Sequence, residues 1–348
     1  MAEVIFAIPG DLASPTGGYA YDRRLLELFE SYGLGARHLA LPGSFPHPSK
    51  ADLAETERLL AATSPNARLL IDGLAYGAMP ADLIRRLDRR IIALVHHPLA
   101  LETGLDARRR EALIASERAA LALARHVIVT SDATRRMLID DFGVADAKIT
   151  VAEPGTDPAP RATGTGTPIQ LLSVGAVSPR KGYDILVAAL AKLKGSDWRL
   201  TIAGALDRDE QAVKALKANI DAAGLGDQIT LAGTVVPATL SRFYESADLF
   251  VMPSLHEGYG MVLAEAMAHG LAIVCTTGGA AGETVPDAAA IKVPPGDVDA
   301  LARAIATVLD DNKLRKSLRK ASWETGRTLP TWNETARRVA AALVGIRT

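Results

Sequence analysis

The sequence is poor in three features that would each point to a particular class of protein. It has one cysteine, Cys275, which excludes an intramolecular disulfide and a cysteine-based zinc site and favours a reducing compartment. Its 39 basic and 40 acidic residues give a net charge of −1, so the chain lacks the overall positive charge that binds nucleic acid or an anionic membrane. No apolar run approaches the roughly 18 residues of a transmembrane helix, and the opening MAEVIFAIPG has no basic region typical of a signal peptide. We therefore expect a cytoplasmic protein without a nucleic-acid partner.

What the sequence does contain is a repeated alternation of apolar, strand-like runs with helix-like segments. This alternation is typical of a doubly wound α/β fold with parallel strands, whose ligands bind at the carboxyl ends of the strands. A chain of 348 residues is long enough for two such domains. The stretch GTDPAPRATGTGTP has no periodicity and is the best linker between them. We predict a first domain over residues 1–157, a linker over 158–168, a second domain over 169–329, and a helical segment over 330–348 that packs back on the first domain.

The predicted elements alternate in the same way in both halves. Strands are predicted over residues 3–8, 35–41, 68–72, 90–95, 126–130, 148–152, 169–174, 199–203, 228–232, 248–252, 272–275 and 290–293. Helices are predicted over residues 19–32, 51–62, 107–124, 132–142, 183–193, 209–223, 237–245, 261–269, 297–309, 312–327 and 332–344.

The most informative stretch is ADLFVMPSLHEGYGMVLAEAMAHG, residues 247–270, which predicts a buried strand, a glycine-punctuated loop and a short helix. The helix is almost wholly apolar, and its one internal charge, Glu265, is costly to bury unless a partner hydrogen-bonds it. A second carboxylate, Glu257, precedes the helix on the loop. Helix N-termini favour phosphate, and carboxylates favour sugar hydroxyls. This combination indicates a site for a nucleotide or a nucleotide sugar.

A second strand, loop and helix segment, LLSVGAVSPRKG, ends with Arg180 and Lys181 at the head of a helix. Cations are unfavourable at this end of a helix dipole, so an anion bound beside the helix end would explain their position. The alternative is that both are solvated surface residues. The segment lacks the spacing of a P-loop, and the dinucleotide fingerprint G-x-G-x-x-G is absent after the first strand of either domain.

Two features of the first half lie where a doubly wound sheet builds its site. The loop SPTGGY follows the first strand, and its glycines, Gly17 and Gly18, either let a ligand approach the backbone or simply form a turn. His96 and His97 follow the apolar strand IIALV, and a position at the carboxyl end of a parallel strand makes them functional candidates. His47 lies in the proline-rich loop PGSFPHPS.

Patterns that could indicate a metal or a membrane surface have simpler explanations. The pairs Asp207 with Asp209 and Asp297 with Asp299 fall where an acidic N-cap is expected, so we predict helix caps rather than magnesium ligands. The arginine-rich runs LIRRLDRR and ARRRE contain neither Trp nor Phe, so we predict solvated helix faces, with peripheral membrane contact as the alternative.

Taken together, these residues resemble the retaining nucleotide-sugar glycosyltransferases of family 4, which have the GT-B fold of two Rossmann-like domains facing across a cleft. The family's most specific mark is a Glu-x7-Glu motif, and EGYGMVLAE, from Glu257 to Glu265, matches its spacing and context. GAVSPRKGYDILVAAL resembles the family's phosphate-binding segment, while PTGGY and LVHHP resemble its glycine loop and histidine-bearing strand end. Two positions depart from the pattern, because Ala176 replaces a usual arginine and EPG, residues 153–155, replaces an Asn-Gly turn.

The resemblance implies a role for each matching residue. Glu257 would contact the transferred sugar, Glu265 the ribose hydroxyls, and Lys181 the diphosphate. His96 would lie beside the reaction centre, so that Glu257, Lys181 and His96 are the catalytic candidates. Further donor-binding candidates are Arg180 in place of the missing arginine, Tyr259, Gly260, Met261, Gly17 and Gly18, and the acceptor-side candidates are His97 and His47.

The activity that the resemblance implies is transfer of a hexose from a UDP- or GDP-linked sugar to an acceptor hydroxyl, with retention of anomeric configuration and without a metal or other cofactor. The acceptor would be a saccharide, a small molecule or a lipid-linked molecule. Two alternatives stay open. One is a phosphorylase or epimerase of the same architecture, the phosphorylase carrying pyridoxal phosphate, and the other is a non-catalytic module that binds nucleotide sugars.

Overall fold

The alternation of strands and helices is present throughout the computed structural model of the chain. The structure describes residues 2–102, 104–164 and 166–345. Three of the predicted segments therefore contain residues outside the description, beginning with Met1 and Thr103 in the predicted first domain 1–157. Thr165, in the predicted linker 158–168, and residues 346–348, at the end of the predicted segment 330–348, lie outside the described residues.

The first half forms one parallel sheet with helices between its strands. Its elements are β1 (Ala2–Pro9), α1 (Gly17–Leu28), β2 (Leu34–Leu41), α2 (Lys50–Ala61), β3 (Arg68–Asp72), α3 (Gly73–Tyr76), α4 (Ala81–Leu87), β4 (Ile91–Val95), α5 (Ala107–Leu123), β5 (His126–Val129), α6 (Asp132–Asp140) and β6 (Ile149–Val151). The strand order is β2-β1-β3-β4-β5-β6, and every neighbouring pair is parallel. β4 lies inside this order and is buried at every residue, which explains why its sequence is an unbroken apolar run.

The second half repeats this architecture with its own sheet and core. Its elements are β7 (Ile169–Val174), α7 (Tyr183–Ala191), β8 (Trp198–Ala203), α8 (Glu210–Ala222), β9 (Ile229–Gly233), α9 (Pro237–Ser246), β10 (Leu249–Met252), α10 (Met261–Ala268), β11 (Ala272–Thr276), α11 (Ala281–Thr284), β12 (Ala290–Val293), α12 (Val298–Asp310) and α13 (Asn312–Gly326). The strand order is β12-β11-β10-β7-β8-β9, again all parallel. Cys275, on β11, is fully buried in this core.

The last helix, α14 (Trp332–Gly345), belongs to the first unit rather than the second. One unit consists of Met1–Gly155 with Pro330–Thr348, and the other of Thr156–Leu329. Trp332 packs edge-to-face on Tyr21 of α1, with ring centroids 5.8 Å apart. A hydrogen bond of 2.7 Å from the Thr335 hydroxyl to the Glu153 carbonyl adds a polar contact at the same place.

The predicted fold class of two doubly wound parallel sheets is confirmed, and the elements that were not predicted are short. α3 and α11 have four residues each, too few to show a helical period in the sequence. The predicted helix 19–32 is α-helical only to Leu28 and ends in a 3₁₀ turn, Phe29–Tyr32. No helix among the described residues is both long enough and apolar enough to cross a membrane.

Candidate active site

In the second unit, three loops meet at the carboxyl ends of the adjacent strands β11, β10 and β7. The loop after β10 is tied to the loop after β7 by a hydrogen bond of 2.8 Å from Leu255 N to the Arg180 carbonyl. It is tied to the loop after β11 at Glu257, whose N donates to the Gly278 carbonyl at 3.2 Å and whose carbonyl accepts from Ala280 N at 2.8 Å. These backbone bonds fix Glu257 and Arg180 at the sheet edge where doubly wound folds bind ligands.

Two glycines allow the loops to come this close. Gly182 has φ +66°, and a Cβ there would lie 2.3 Å from the Pro253 carbonyl oxygen. Gly279 has φ +63°, and a Cβ there would lie 2.3 Å from the Glu257 carbonyl oxygen. Both positions combine a left-handed backbone with a contact that leaves no room for a side chain, so glycine is required at each.

Glu257 forms the centre of a charged cluster at this edge and is only 7% exposed. Lys181 Nζ lies 2.6 Å from its Oε1, and Arg180 Nη1 lies 3.6 Å from its Oε2. Arg180 Nη1 also donates to the His256 carbonyl at 2.8 Å. Burial alone would raise the pKa of Glu257, but the charges of Lys181 and Arg180 outweigh it and lower that pKa to about 2. The cluster therefore presents two cations and one ionised carboxylate.

Glu265 lies on α10, whose first turn follows Gly260, a residue with φ +94°. The Tyr244 hydroxyl, from α9, donates to Glu265 Oε2 at 2.7 Å. Burial raises the pKa of Glu265, the Tyr244 hydrogen bond opposes that rise, and the charge of Asp157 adds to it. The sequence predicted that this carboxylate needs a hydrogen-bond partner, and Tyr244 is that partner.

A second group of ionisable residues lies in the first unit, around His96. β3 and β4 pair with Asp72 opposite Leu94, so Asp72 ends its strand beside the segment that carries His96. His96 Nε2 lies 3.2 Å from Asp22 Oδ1 and 3.5 Å from Asp72 Oδ2. Tyr21 packs edge-to-face against the imidazole, with ring centroids 5.3 Å apart. The His96 side chain is 20% exposed, whereas Asp22 is fully buried.

The two carboxylates set the charge of this histidine. Burial alone would lower the pKa of His96, but the charges of Asp22 and Asp72 and the bonds to them raise it to about 10. Burial raises the pKa of Asp22 to about 7, against the opposing effect of His96. The second oxygen of Asp22, Oδ2, is buried without a hydrogen-bond partner, which is costly for an ionised carboxylate. A protonated His96 thus lies beside Asp22 and Asp72, and its positive charge opposes the effect of burial on the pKa of Asp22.

His96, Asp22 and Asp72 are also placed closely enough to hold a metal ion, with ligand atoms within 4.8 Å of one another. The protonated imidazole already supplies the positive charge that these two acids require, so the donor set fits an ion triad as well as a metal site. The Asp-x-Asp pairs have the predicted role of helix caps. Asp209 accepts from Ala212 N at 2.9 Å and Asp297 from Ala300 N at 2.8 Å.

The remaining candidates from the sequence lie in several places. Gly18 lies beside His96, because a Cβ at this glycine would be 3.3 Å from the imidazole Cδ2, and Gly17 begins α1 next to it. His97 Nε2 lies 2.6 Å from Glu102 Oε1. The pKa of His47 is lowered by burial and by the charge of Arg109. In the described part of the chain, no hydrogen bond or ion pair joins His47 to His96.

Three residues of these groups were not singled out from the sequence: Asp22, Asp72 and Tyr244. Asp72 ends the apolar strand RLLID, and a carboxylate at the carboxyl end of a parallel strand is a signal that sequence alone can supply. Asp22 and Tyr244 lie on helices, and nothing in the local pattern shows that Asp22 points inward or that Tyr244 contacts a residue 21 positions away.

The fold defines a protein of the GT-B class, with a charged cluster of Glu257, Lys181 and Arg180 at the carboxyl ends of the strands of its second sheet. Comparison with known sequences identifies its family. Residues 158–324 match the family model described as glycosyl transferases group 1, and residues 34–160 match the model described as glycosyltransferase family 4. The chain belongs to the family 4 glycosyltransferases.

Individual relatives agree with this assignment. The chain is 29% identical to the D-inositol 3-phosphate glycosyltransferase of Kineococcus radiotolerans over 66% of this chain and 61% of that protein, so the match spans less than two thirds of the relative. In structure it is similar to sucrose-phosphate synthase from Thermosynechococcus elongatus, with a TM-score of 0.81 and 21% identity over 99% of both chains. It is also similar to Anabaena HepE in complex with UDP-glucose, with a TM-score of 0.76 and 18% identity over 98% of this chain and 100% of that one.

Proposed function

We propose that this protein transfers a hexose from a UDP- or GDP-linked sugar to an acceptor hydroxyl, with retention of anomeric configuration and without a metal or other cofactor. The observation that carries the proposal is the cluster of Glu257 with Lys181 and Arg180, placed at the same sheet edge as the α10 N-terminus. It offers cations for a diphosphate and a carboxylate for sugar hydroxyls. The complex of HepE with UDP-glucose supports a donor of this kind.

The main catalytic effect is stabilisation of the leaving group. As the bond from the anomeric carbon to the phosphate oxygen breaks, negative charge grows on the diphosphate. Lys181, Arg180 and the backbone amides at Gly260 and Met261 stabilise that charge. Each such donor is worth about 2.7 to 4 kcal/mol in the transition state, by analogy with oxyanion-hole deletions. A diphosphate competes with Glu257 for the Lys181 ammonium, which releases the carboxylate to accept hydrogen bonds from the transferred sugar.

Retention follows if the acceptor hydroxyl attacks from the face that the diphosphate leaves. The departing phosphate takes the proton of that hydroxyl, so the bond to the acceptor oxygen forms as the bond to phosphate breaks. In this proposal Glu257 accepts hydrogen bonds from the transferred sugar and positions it rather than attacking the anomeric carbon. A double displacement would need a carboxylate free to attack the anomeric carbon.

The first unit supplies the acceptor side in this proposal. His96 offers a positive charge and an N–H group, both held in place by Asp22 and Asp72. His97 and His47 stay candidates for contact with the acceptor. The name of the Kineococcus relative, an inositol phosphate glycosyltransferase, supports a polyol or saccharide among the acceptors to be tried first.

The test begins with a thermal-shift panel of UDP, GDP, ADP and their hexose conjugates, run in EDTA. A ligand at about 100 times its dissociation constant stabilises the folded protein by about 2.7 kcal/mol, which gives a clear shift. The sugar that binds is then incubated with inositols, hexoses and hexose phosphates, and the products are identified by mass spectrometry. We expect one donor to be consumed with release of its nucleoside diphosphate. Binding without consumption across the acceptor panel would instead favour a non-catalytic module, and a requirement for added metal would overturn metal independence.

A further inference from the structure

The hydrogen bond between Tyr244 and Glu265 joins α9 to α10, the next helix along the chain. Tyr244 is only 2% exposed, and its hydroxyl donates to Glu265 Oε2 at 2.7 Å. Within the described part of the chain, no other hydrogen bond reaches this carboxylate. Tyr244 therefore holds one of the two oxygens, while the other accepts no hydrogen bond from the described residues.

The Tyr244 ring packs against two other aromatic rings. It stacks on the His269 ring with centroids 4.9 Å apart and planes within 5°, and it stacks on Phe250 with centroids 5.9 Å apart. His269 Nδ1 lies 2.9 Å from the Pro160 carbonyl oxygen, and because a carbonyl only accepts, this nitrogen carries the proton. Burial lowers the pKa of His269, so the stacked imidazole is neutral. The ring position of Tyr244 is thus fixed independently of Glu265.

This arrangement has two consequences for Glu265. A fixed hydroxyl on Oε2 favours one orientation of the carboxylate and leaves Oε1 to accept from another donor. The same hydrogen bond favours the ionised form of Glu265, against the effects of burial and of Asp157. An oriented carboxylate is the acceptor that two adjacent hydroxyl groups require, since each of them donates one proton.

We propose that Tyr244 is a positioning residue that orients Glu265 toward the two adjacent hydroxyls of a nucleotide ribose. The inference rests on the proposed function, because it takes the ligand of the second unit to be a nucleoside diphosphate sugar. Tyr244 does not touch the ligand in this proposal and acts only through the Glu265 carboxylate. Its removal should therefore weaken recognition of the ribose hydroxyls and leave recognition of the diphosphate unchanged.

The experiment compares Tyr244→Phe with the wild-type protein by calorimetric titration with UDP and GDP and with their 2′,3′-dideoxy analogues. We expect the wild-type protein to bind the ribonucleotide more tightly than the dideoxy form. We expect Tyr244→Phe to reduce that ratio about tenfold, with the affinity for the dideoxy form unchanged. Glu265→Gln should reduce the ratio at least as far.

Tyr76→Phe is the matched control, because Tyr76 is fully buried in the first unit and its hydroxyl also donates one hydrogen bond, to the Ala120 carbonyl at 2.8 Å. It should keep the wild-type ratio even if it lowers the melting temperature. A wild-type ratio in folded Tyr244→Phe would overturn the positioning role alone. If the wild-type protein bound neither UDP nor GDP, the proposed function would be wrong and this inference with it.

Discussion

Lys181 Nζ lies 2.6 Å from Glu257 Oε1, and the two side chains are only 15% and 9% exposed. The sequence placed Lys181 at the head of a helix, where a cation is unfavourable without an anion nearby. The structure supplies that anion from the same chain, 76 residues further on. The ion pair therefore keeps a charged lysine at the sheet edge before any ligand arrives, which is what a diphosphate site requires.

Substitution of Lys181 by alanine tests the electrostatic role directly. We expect Lys181→Ala to lower kcat by about 10²- to 10³-fold, because it removes one cation from the leaving diphosphate. Steady-state kinetics with the donor identified by the binding panel give the measurement. The control is Lys192→Ala. Lys192 also forms a 2.6 Å ion pair, with Asp299, but its side chain is 52% exposed and has no place in the proposed donor site. Equal turnover by Lys181→Ala and wild type would refute the assignment.

Glu265→Ala is expected to weaken donor binding rather than turnover of bound donor. Loss of a carboxylate that accepts hydrogen bonds from the ribose removes interactions present in both the ground state and the transition state. Hydrogen bonds to a charged group are worth about 1.5 to 3 kcal/mol, which corresponds to a roughly 10- to 100-fold rise in Kd. Calorimetric titration measures it, with the exposed Glu324→Ala as the control. An unchanged Kd would remove Glu265 from the donor site.

His96 should stay protonated well above neutral pH, because Asp22 and Asp72 raise its pKa to about 10. The Asp22→Asn substitution removes the carboxylate that has the larger effect on the pKa of His96. That pKa should therefore fall towards its ordinary value. NMR titration of the imidazole Cε1–H signal measures this, with the signal assigned by its loss in His96→Gln. The control is Asp146→Asn, an exposed acid paired with Arg135. The same His96 titration in Asp22→Asn and wild type would contradict the triad.

Glu117 should make the protein less stable as pH rises, because burial raises its pKa to about 8. One of its oxygens accepts from Leu99 N at 2.9 Å, and the other is buried without a hydrogen-bond partner. Below about pH 4.5 the acid is neutral in both the folded and the unfolded chain. Between there and pH 8 only the unfolded chain releases the proton, so wild-type stability falls by up to about 1.4 kcal/mol per pH unit.

The comparison that reveals this effect is Glu117→Gln, which does not titrate. Its free energy of unfolding in denaturant should rise relative to wild type from pH 5 to pH 8. Glu111→Gln, at an exposed position of the same helix, should run parallel to wild type. A constant difference between Glu117→Gln and wild type would show that the folded acid titrates normally.

The sequence was sufficient for the fold because the inner strands of each sheet, such as β4, β10 and β11, are buried at every residue and read as apolar runs. Residues 68–72, 169–174 and 290–293 are strands over the predicted ranges. Glu257 and Glu265 were found by their charge rather than by an apolar pattern. Each is a charge in an apolar segment, and such a charge needs a partner.

The partners themselves could not be predicted. Lys181 and Glu257 are 76 positions apart, and His96 and Asp22 are 74 apart. Spacing within a helix or strand carries no information about contacts at that separation, because they depend on strand order and on which face of a helix is buried. The protonation state of His96 could not be predicted for the same reason, because it depends on two acids that lie near His96 only in the folded chain.

The most direct test of the central claim is proton NMR of the transfer reaction itself. Wild-type protein is mixed with the identified nucleotide sugar and acceptor in EDTA, and the anomeric signals of donor and product are followed together. We expect the α-anomeric signal of the donor to be replaced by an α-anomeric signal of the product as nucleoside diphosphate accumulates. A β-linked product would contradict retention, and a donor signal that stays constant with every acceptor would contradict transfer.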